Sequence, residues 1–205
     1  MDLKIVDLGL VDFKDAWAKQ KELFGDVKSG MLDKALIICQ HQPVITIGRS
    51  AKAKNILVSE AELRNKGISV YTVERGGDVT YHGPGQLTIY PIFNLNFFKK
   101  DIHWFLRYLE GVIILTLHDF GIKGERSSGL TGVWVKGSKI ASIGIAIRNW
   151  ITFHGLTINV RKSDMANFSL IRPCGMDIML TSIESEIGGP IRTQDIKNSF
   201  ISSIT

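Results

Sequence analysis

At 205 residues the chain can bury one self-sufficient core and is shorter than chains that usually divide, so a single domain over 1–205 is expected. Hydrophobic residues at 44% and charged residues at 22% are ordinary for a soluble globular protein, and the longest apolar run, about 111–117, is far too short to span a bilayer. A net charge of +5 spread along the chain without any basic block disfavours nucleic acid as a partner and leaves an acidic protein as the better one.

Leu3 to Leu8 reads as a short strand. Asp12 stands where it can cap a helix from Phe13 to about Val27, with Phe13, Trp17, Gln20, Phe24 and Val27 recurring at helical spacing. Ala35 to Cys39 and Val44 to Ile47 read as two strands joined by a turn at Gln40-His41-Gln42-Pro43, where the proline cannot continue a ladder. Ser59-Glu60-Ala61-Glu62 has capping-box spacing, and Gly67 ends the short helix that follows. Strands are expected at Ile68 to Val73 and Leu87 to Leu95. Asp101 caps the longest predicted helix, to about Phe120, with Ile102, Phe105, Leu106, Leu109, Ile113 and Leu117 as its apolar stripe and Gly121 as its stop. His118 on this helix is read as structural. From Gly132 the pattern becomes a three-stranded meander at 133–135, 140–148 and 152–160. An irregular segment, 161–176, precedes a short helix at about 182–187 and a last one near 194–204. The mixture predicts an α/β or α+β chain with one mixed central sheet, a second smaller sheet and packing helices.

The stretch Arg75-Gly-Gly-Asp-Val-Thr-Tyr-His-Gly-Pro-Gly-Gln86 carries four glycines between two strands. A plain hairpin needs only one or two special residues. Glycine lets backbone amides approach a ligand closely, and a leading arginine suits carbonyl, carboxylate or phosphate oxygens. No Gly-x-Gly-x-x-Gly opens a helix here and no Gly-Lys-Ser/Thr follows, so the stretch gives no support to ATP binding.

Two cysteines are too few for a disulfide framework or a structural zinc site. Cys39 sits in an apolar strand and reads as a small hydrophobe. Cys174, in Arg172-Pro173-Cys174-Gly175, sits in a context that breaks regular structure. A thiol titrates near 8.5, so a nucleophilic Cys174 needs a cation or base nearby. Lys139, just before the small-residue strand Ile140-Ala-Ser-Ile-Gly144, is one such partner. His154 in Phe153-His154-Gly155-Leu156 is another, and spacing alone does not choose between them.

Taken together these segments resemble the octanoyl-[acyl-carrier-protein]:protein N-octanoyltransferases of lipoate biosynthesis. The resemblance lies in Arg75 to Gln86 followed by Leu87-Thr-Ile-Tyr-Pro-Ile, in His41 to Arg49, and in Gly132-Val-Trp134 with Lys139 to Gly144. It continues in Phe153 to Val160, in Pro173-Cys174-Gly175 and in Thr181-Ser182-Ile183. Departures are mild: Gln42 replaces an expected proline and Thr157 an expected alanine.

The resemblance implies the biotin/lipoate protein ligase-like fold, with Cys174 as acyl-accepting nucleophile and Lys139 as its proton-handling partner. It implies that Arg75, Gly76, Gly77, Asp78, Val79, Thr80, Tyr81 and His82 bind the acyl substrate. Ser142, Ile143, Gly144, His154, Gly155, Leu156 and Thr157 would join them. The donor would be octanoyl-acyl carrier protein. The acceptors would be lipoyl domains of 2-oxoacid dehydrogenase complexes and the H protein of glycine cleavage. No ATP, metal, nucleic acid or membrane is expected. Met1-Asp2-Leu3-Lys4 lacks the pattern of a signal peptide, so the expected location is cytoplasmic. Two other readings share the fold: an ATP-dependent lipoate or biotin ligase, and a non-catalytic binder of acylated proteins.

Overall fold

The computed structural model describes residues 2–173 and 178–205. Two sheets of unequal size organise them. The larger has six strands in the order β1 (Leu3–Val11), β2 (Lys34–His41), β6 (Gln86–Phe93), β9 (Ile151–Asn159), β8 (Ser138–Arg148) and β7 (Val133–Val135). Its β1/β2 pair is parallel and its other pairs antiparallel, so the central sheet is mixed as expected. The smaller sheet runs β4 (Ser69–Thr72), β3 (Val44–Ile47), β5 (Val79–His82).

Strand β2 shows why the larger sheet is central. Leu36 and Ile38 join a core with α3 (Ile102–His118) and α5 (Thr193–Ile204), while Ala35, Ile37 and Cys39 join another with α1 (Phe13–Ser29). A strand covered on both faces becomes a continuous apolar run instead of an alternating one. The short helices α2 (Glu60–Asn65) and α4 (Ile183–Ile187) complete the fold. Ser59 caps α2 by accepting the Glu62 N–H at 3.2 Å.

Several boundaries differ from the sequence expectations, each for a tertiary reason. The expected turn at 40–43 is partly strand: β2 continues to His41, which pairs with Val11 of β1. Pro43 marks the point where the chain leaves the large sheet for the small one. Within the glycine-rich stretch, Val79–His82 is a strand, because β3 offers it an antiparallel edge. Residues 163–170, expected to be irregular, form a 3-10 turn. Ile102 is 44% exposed instead of joining the buried stripe of Phe105, Leu109, Ile113 and Leu117. Asp12 makes no side-chain cap bond, and His118 is exposed.

Between β6 and β9 the ladder is interrupted. Ile89 pairs with Leu156 and Asn94 bridges Ile151, a register that sets Pro91 opposite His154. Proline has no N–H to donate. His154 takes a positive φ of 54°, and its own N–H donates instead to Gln20 Oε1 of α1 at 2.8 Å. A Cβ on neighbouring Gly155 would collide with the Ile89 carbonyl oxygen and lie 2.8 Å from Pro91 Cδ.

A polar layer lies between the sheets. His41 Nδ1 faces the Val11 carbonyl at 3.2 Å, and a carbonyl only accepts, so Nδ1 carries the proton. Nε2 then accepts from the Tyr90 hydroxyl at 2.7 Å. Burial pushes His41 down from 6.5 to about 4, and burial, opposed by the Glu74 carboxylate, does the same to His154. Burial, with the His41 ring and the Arg75 cation beside it, pushes His82 well below 6.5.

Two outcomes follow. The folded state keeps these rings neutral, while the unfolded chain protonates them below 6.5. More protons are therefore bound by the unfolded chain, and stability falls as the pH drops from about 6.5 toward 4. Urea midpoints measured from pH 7.5 to 4.5 should decline below 6.5; a flat profile would contradict neutral burial of the histidines. Gly155→Ala should destabilise the fold by more than about 2 kcal/mol, read by thermal unfolding, because the added methyl meets backbone on a central strand.

Candidate functional site

A cavity of about 380 Å³ opens between the small sheet and strands β8 and β9. Its size is that of a small-molecule site, roughly 300–1,000 Å³. Ser142, Ile143 and Gly144 of β8 and His154, Gly155, Leu156 and Thr157 of β9 border it. The two segments are adjacent because they are register partners: Ser142 faces Thr157, Ile143 faces Leu156 and Gly144 faces Gly155. Across from them stand Arg75, Gly76, Gly77, Asp78, Val79, Thr80 and His82.

Tyr81 is the exception among the expected binding residues. Strand alternation turns Val79 and Tyr81 toward the apolar cluster under the small sheet. The Tyr81 ring meets Phe168 edge-on at 5.6 Å, and its hydroxyl accepts from Asn167 Nδ2 at 2.9 Å. Its side chain therefore supports the wall from behind.

Arg75 is 8% exposed and its guanidinium faces inward. Nε and Nη2 donate to Thr46 Oγ1 at 3.1 and 3.0 Å, Nη2 also to the Thr46 carbonyl at 2.7 Å, and Nη1 to the Gly76 carbonyl at 3.0 Å. Gly76 N–H in turn donates to the Ile145 carbonyl at 2.8 Å, which sews the glycine-rich stretch to β8. Asp78 accepts from Val79 N–H at 2.7 Å and from the Asn55 side-chain amide. The Asn55 carbonyl accepts from Arg172 N–H at 2.8 Å, anchoring the chain just before Pro173.

Lys139 is 7% exposed at the start of β8 and borders the same cavity. Its Nζ lies 5.0 Å from the centroid of the Trp134 ring. On its other side is Gly132, whose φ of 135° and lack of a side chain leave space for the lysine: a Cβ there would lie 2.7 Å from Lys139 Cε. The Lys139 N–H donates to the Met179 carbonyl at 2.8 Å, and its carbonyl accepts from Thr181 N–H at 3.0 Å.

Cys174 lies outside the described residues. Pro173 and Ile178, which flank its segment, border the cavity together with Lys139. His154, the other partner considered for the cysteine, pairs with Ile145. Ile145 lies six residues along β8 from Lys139, about 20 Å. Residues 179–181 are tied to Lys139's end of β8.

The sequence reading missed Phe13, Thr46, Val73, Thr88 and Tyr90, and the cavity-facing roles of Ile102 and Leu106. A usable signal existed in β6, where Thr88 and Tyr90 are two residues apart and so share a face. For the others the cavity wall is assembled from distant segments. Among the described residues no group of three or more His, Cys, Asp or Glu converges as metal ligands would. No helix among them is long and apolar enough to cross a membrane.

Comparisons with known proteins show the family and the fold. Residues 12–205 match the model of the lipoyl protein ligase A/B catalytic domain. An octanoyltransferase of Cytophaga hutchinsonii is 42% identical, covering 98% of this chain and 90% of the relative. One from Caldicellulosiruptor saccharolyticus is 45% identical over 96% of this chain and 84% of its own length. Among solved structures, a lipoate-protein ligase A bound with ATP superposes with a TM-score of 0.77 at 14% identity, covering 99% of this chain and 84% of the other. A biotin protein ligase from Aquifex aeolicus in complex with biotin and ATP superposes at 0.59 with 12% identity, covering 98% and 68%. These likenesses show the fold alone. With the family model matched along almost its whole length and relatives above 40% identity named octanoyltransferases, the chain belongs to the lipoyl protein ligase A/B catalytic domain family, where its close likeness is to the octanoyltransferases.

Proposed function

We propose that this chain transfers an octanoyl group from octanoyl-acyl carrier protein to a lysine of lipoyl domains, through a thioester on Cys174. The observation that carries this reading is a buried lysine in the cavity wall whose backbone is hydrogen-bonded to Met179 and Thr181, just beyond the cysteine segment. Full-length likeness to proteins named octanoyltransferase supplies the acyl group.

The chemistry balances without ATP. Lys139, as a neutral amine, takes the Cys174 proton, and the thiolate attacks the carbonyl carbon of the donor thioester. The carrier's thiolate leaves and recovers a proton from the Lys139 ammonium. The amine of the acceptor lysine then attacks the Cys174 thioester and loses a proton to the same pair as the cysteine sulfur departs. One thioester and one amine become one amide and one thiol. Splitting the transfer into two displacements keeps each step between good partners. Backbone amides of the glycine-rich stretch, or that of Cys174, would stabilise the developing oxyanion.

In this reading the apolar walls from Ile143, Leu156 and Leu106 accept the alkyl chain. Gly76 and Gly77 let backbone come close to it. The acceptors are lipoyl domains of 2-oxoacid dehydrogenase complexes and the glycine cleavage H protein, and the reaction belongs in the cytoplasm. A net charge of +5 would speed encounter with acidic partners. No metal or nucleic acid enters the reaction.

The rival is an ATP-dependent ligase, since a ligase bound with ATP shares the fold. Intact-mass spectrometry after mixing with octanoyl-acyl carrier protein, without ATP, separates the two. An octanoyl adduct mapped to Cys174, discharged by a lipoyl domain and absent from Cys174→Ser, is expected. Transfer that appears only with free octanoate and ATP would establish the ligase and exclude the acyl-enzyme. Lys139→Ala should fold normally and lose about 10²- to 10⁴-fold in transfer rate, the range of a positioned proton-transfer group. Full activity in that variant would remove Lys139 from the reaction.

A further inference from the structure

A line of buried side chains connects the glycine-rich stretch to the Lys139 end of the site, and two of its members, Gln86 and Asn159, do not border the cavity. The direction of every bond along it is forced from its two ends. The Arg75 guanidinium can only donate, and its Nε and Nη2 both point at Thr46 Oγ1. The hydroxyl therefore gives its own proton onward, to His82 Nε2 at 3.3 Å. His82 then carries its proton on Nδ1 and donates to Gln86 Oε1 at 3.0 Å. The remaining end of that amide, Nε2, donates to Asn159 Oδ1 at 3.1 Å, which turns Asn159 Nδ2 toward the Thr181 carbonyl, also at 3.1 Å. A carbonyl can only accept, so the line terminates there.

Thr181 is the point where this matters. Residues 179–181 lie beside β8 as a short parallel addition, with a single bridge between Lys139 and Leu180 and two backbone bonds to Lys139. So short an addition is marginal by itself. We propose that Gln86 and Asn159 are positioning residues: by holding the Thr181 carbonyl they keep 179–181 in register on β8, and so fix Lys139 relative to the chain that follows Cys174. The inference rests on the acyl-transfer reading above. It adds two residues that touch neither substrate nor reacting atoms and act through Thr181 and Lys139.

The test uses the full chain carrying Cys39→Ala as reference, so that Cys174 is the thiol that reports. Cys39 is buried and its thiol pushed well up, which makes it a poor competitor in any case. The rate of iodoacetamide alkylation is followed from pH 5 to 10, alongside the first-turnover rate of octanoyl adduct formation. Asn159→Ala removes the donor to Thr181, and Gln86→Met, of similar length, removes the group that orients Asn159.

Both variants should raise the alkylation midpoint by about 1 pH unit and slow adduct formation about tenfold, since the thiolate loses its fixed partner. Ile196→Val, a core change elsewhere, should lower Tm and move neither reading. An Asn159→Ala protein with a lowered Tm but unchanged midpoint and acylation rate would overturn the proposal, leaving Asn159 a structural residue. If that variant does not fold, Gln86→Met decides by the same two readings. A reference protein whose thiol titrates like free cysteine, near 8.5, and forms no adduct would overturn the acyl-transfer reading instead.

Discussion

The inward-facing guanidinium of Arg75 is the interaction on which the rest of the site depends. A charge taken from water must have its donors satisfied, and Arg75 spends them on Thr46 of β3 and on its own neighbour Gly76. That requirement draws the glycine-rich stretch over the small sheet. It also dictates what can stand nearby. A Cβ at Gly48 would meet the Gly77 carbonyl and Arg75 Nη1, and one at Gly144 would lie 2.9 Å from the Gly76 carbonyl. Glycine at these positions is a consequence of the close packing around one buried cation. The same cation helps keep His82 neutral, which fixes the donor and acceptor ends of the ring.

A second constraint comes from the larger sheet. The β8/β9 ladder brings Ser142 to Gly144 opposite Gly155 to Thr157, so residues distant in the chain become one wall. Beside Gly155, Pro91 withholds a ladder bond and His154 takes a left-handed conformation that Gln20 of α1 supports. Strained backbone of this kind persists where the surroundings over-determine it. Here the surroundings are α1, β6 and the Glu74 carboxylate at 3.3 Å from His154 Nε2. His154 is thereby a buried neutral ring at one end of the cavity, and Lys139 occupies the other.

The fold itself does not decide the reaction. Lipoate and biotin ligases share it at 12–14% identity, so function has to be argued from the site and from full-length relatives. What separates the readings is chemistry at the Lys139 end. In the proposed reaction the thioester donor is already activated, so a lysine and a cysteine would suffice to pass its acyl group on. On that proposal the fold would serve as a cradle for the acyl chain, with the energy of activation supplied by the substrate.

The sequence by itself determined the elements and most of the site's membership. Periodicity placed α1 and α3, and four glycines around Arg75, Asp78 and His82 marked a wall of the cavity. These signals are local, carried by side-chain spacing and by glycine's backbone freedom. Only the tertiary structure decided which of the local signals meet. That residues 179–181 hydrogen-bond to β8 at Lys139 was not legible from spacing, because the pairing joins segments far apart in the chain. Tyr81 could not be separated from Thr80 and His82 until β5 paired with β3 and alternation turned its ring away. Gln86 and Asn159 carried no assigned role, since their meaning lies in bonds across 73 and 22 residues of chain. Contacts of that range are set by sheet order and register, which no local pattern encodes.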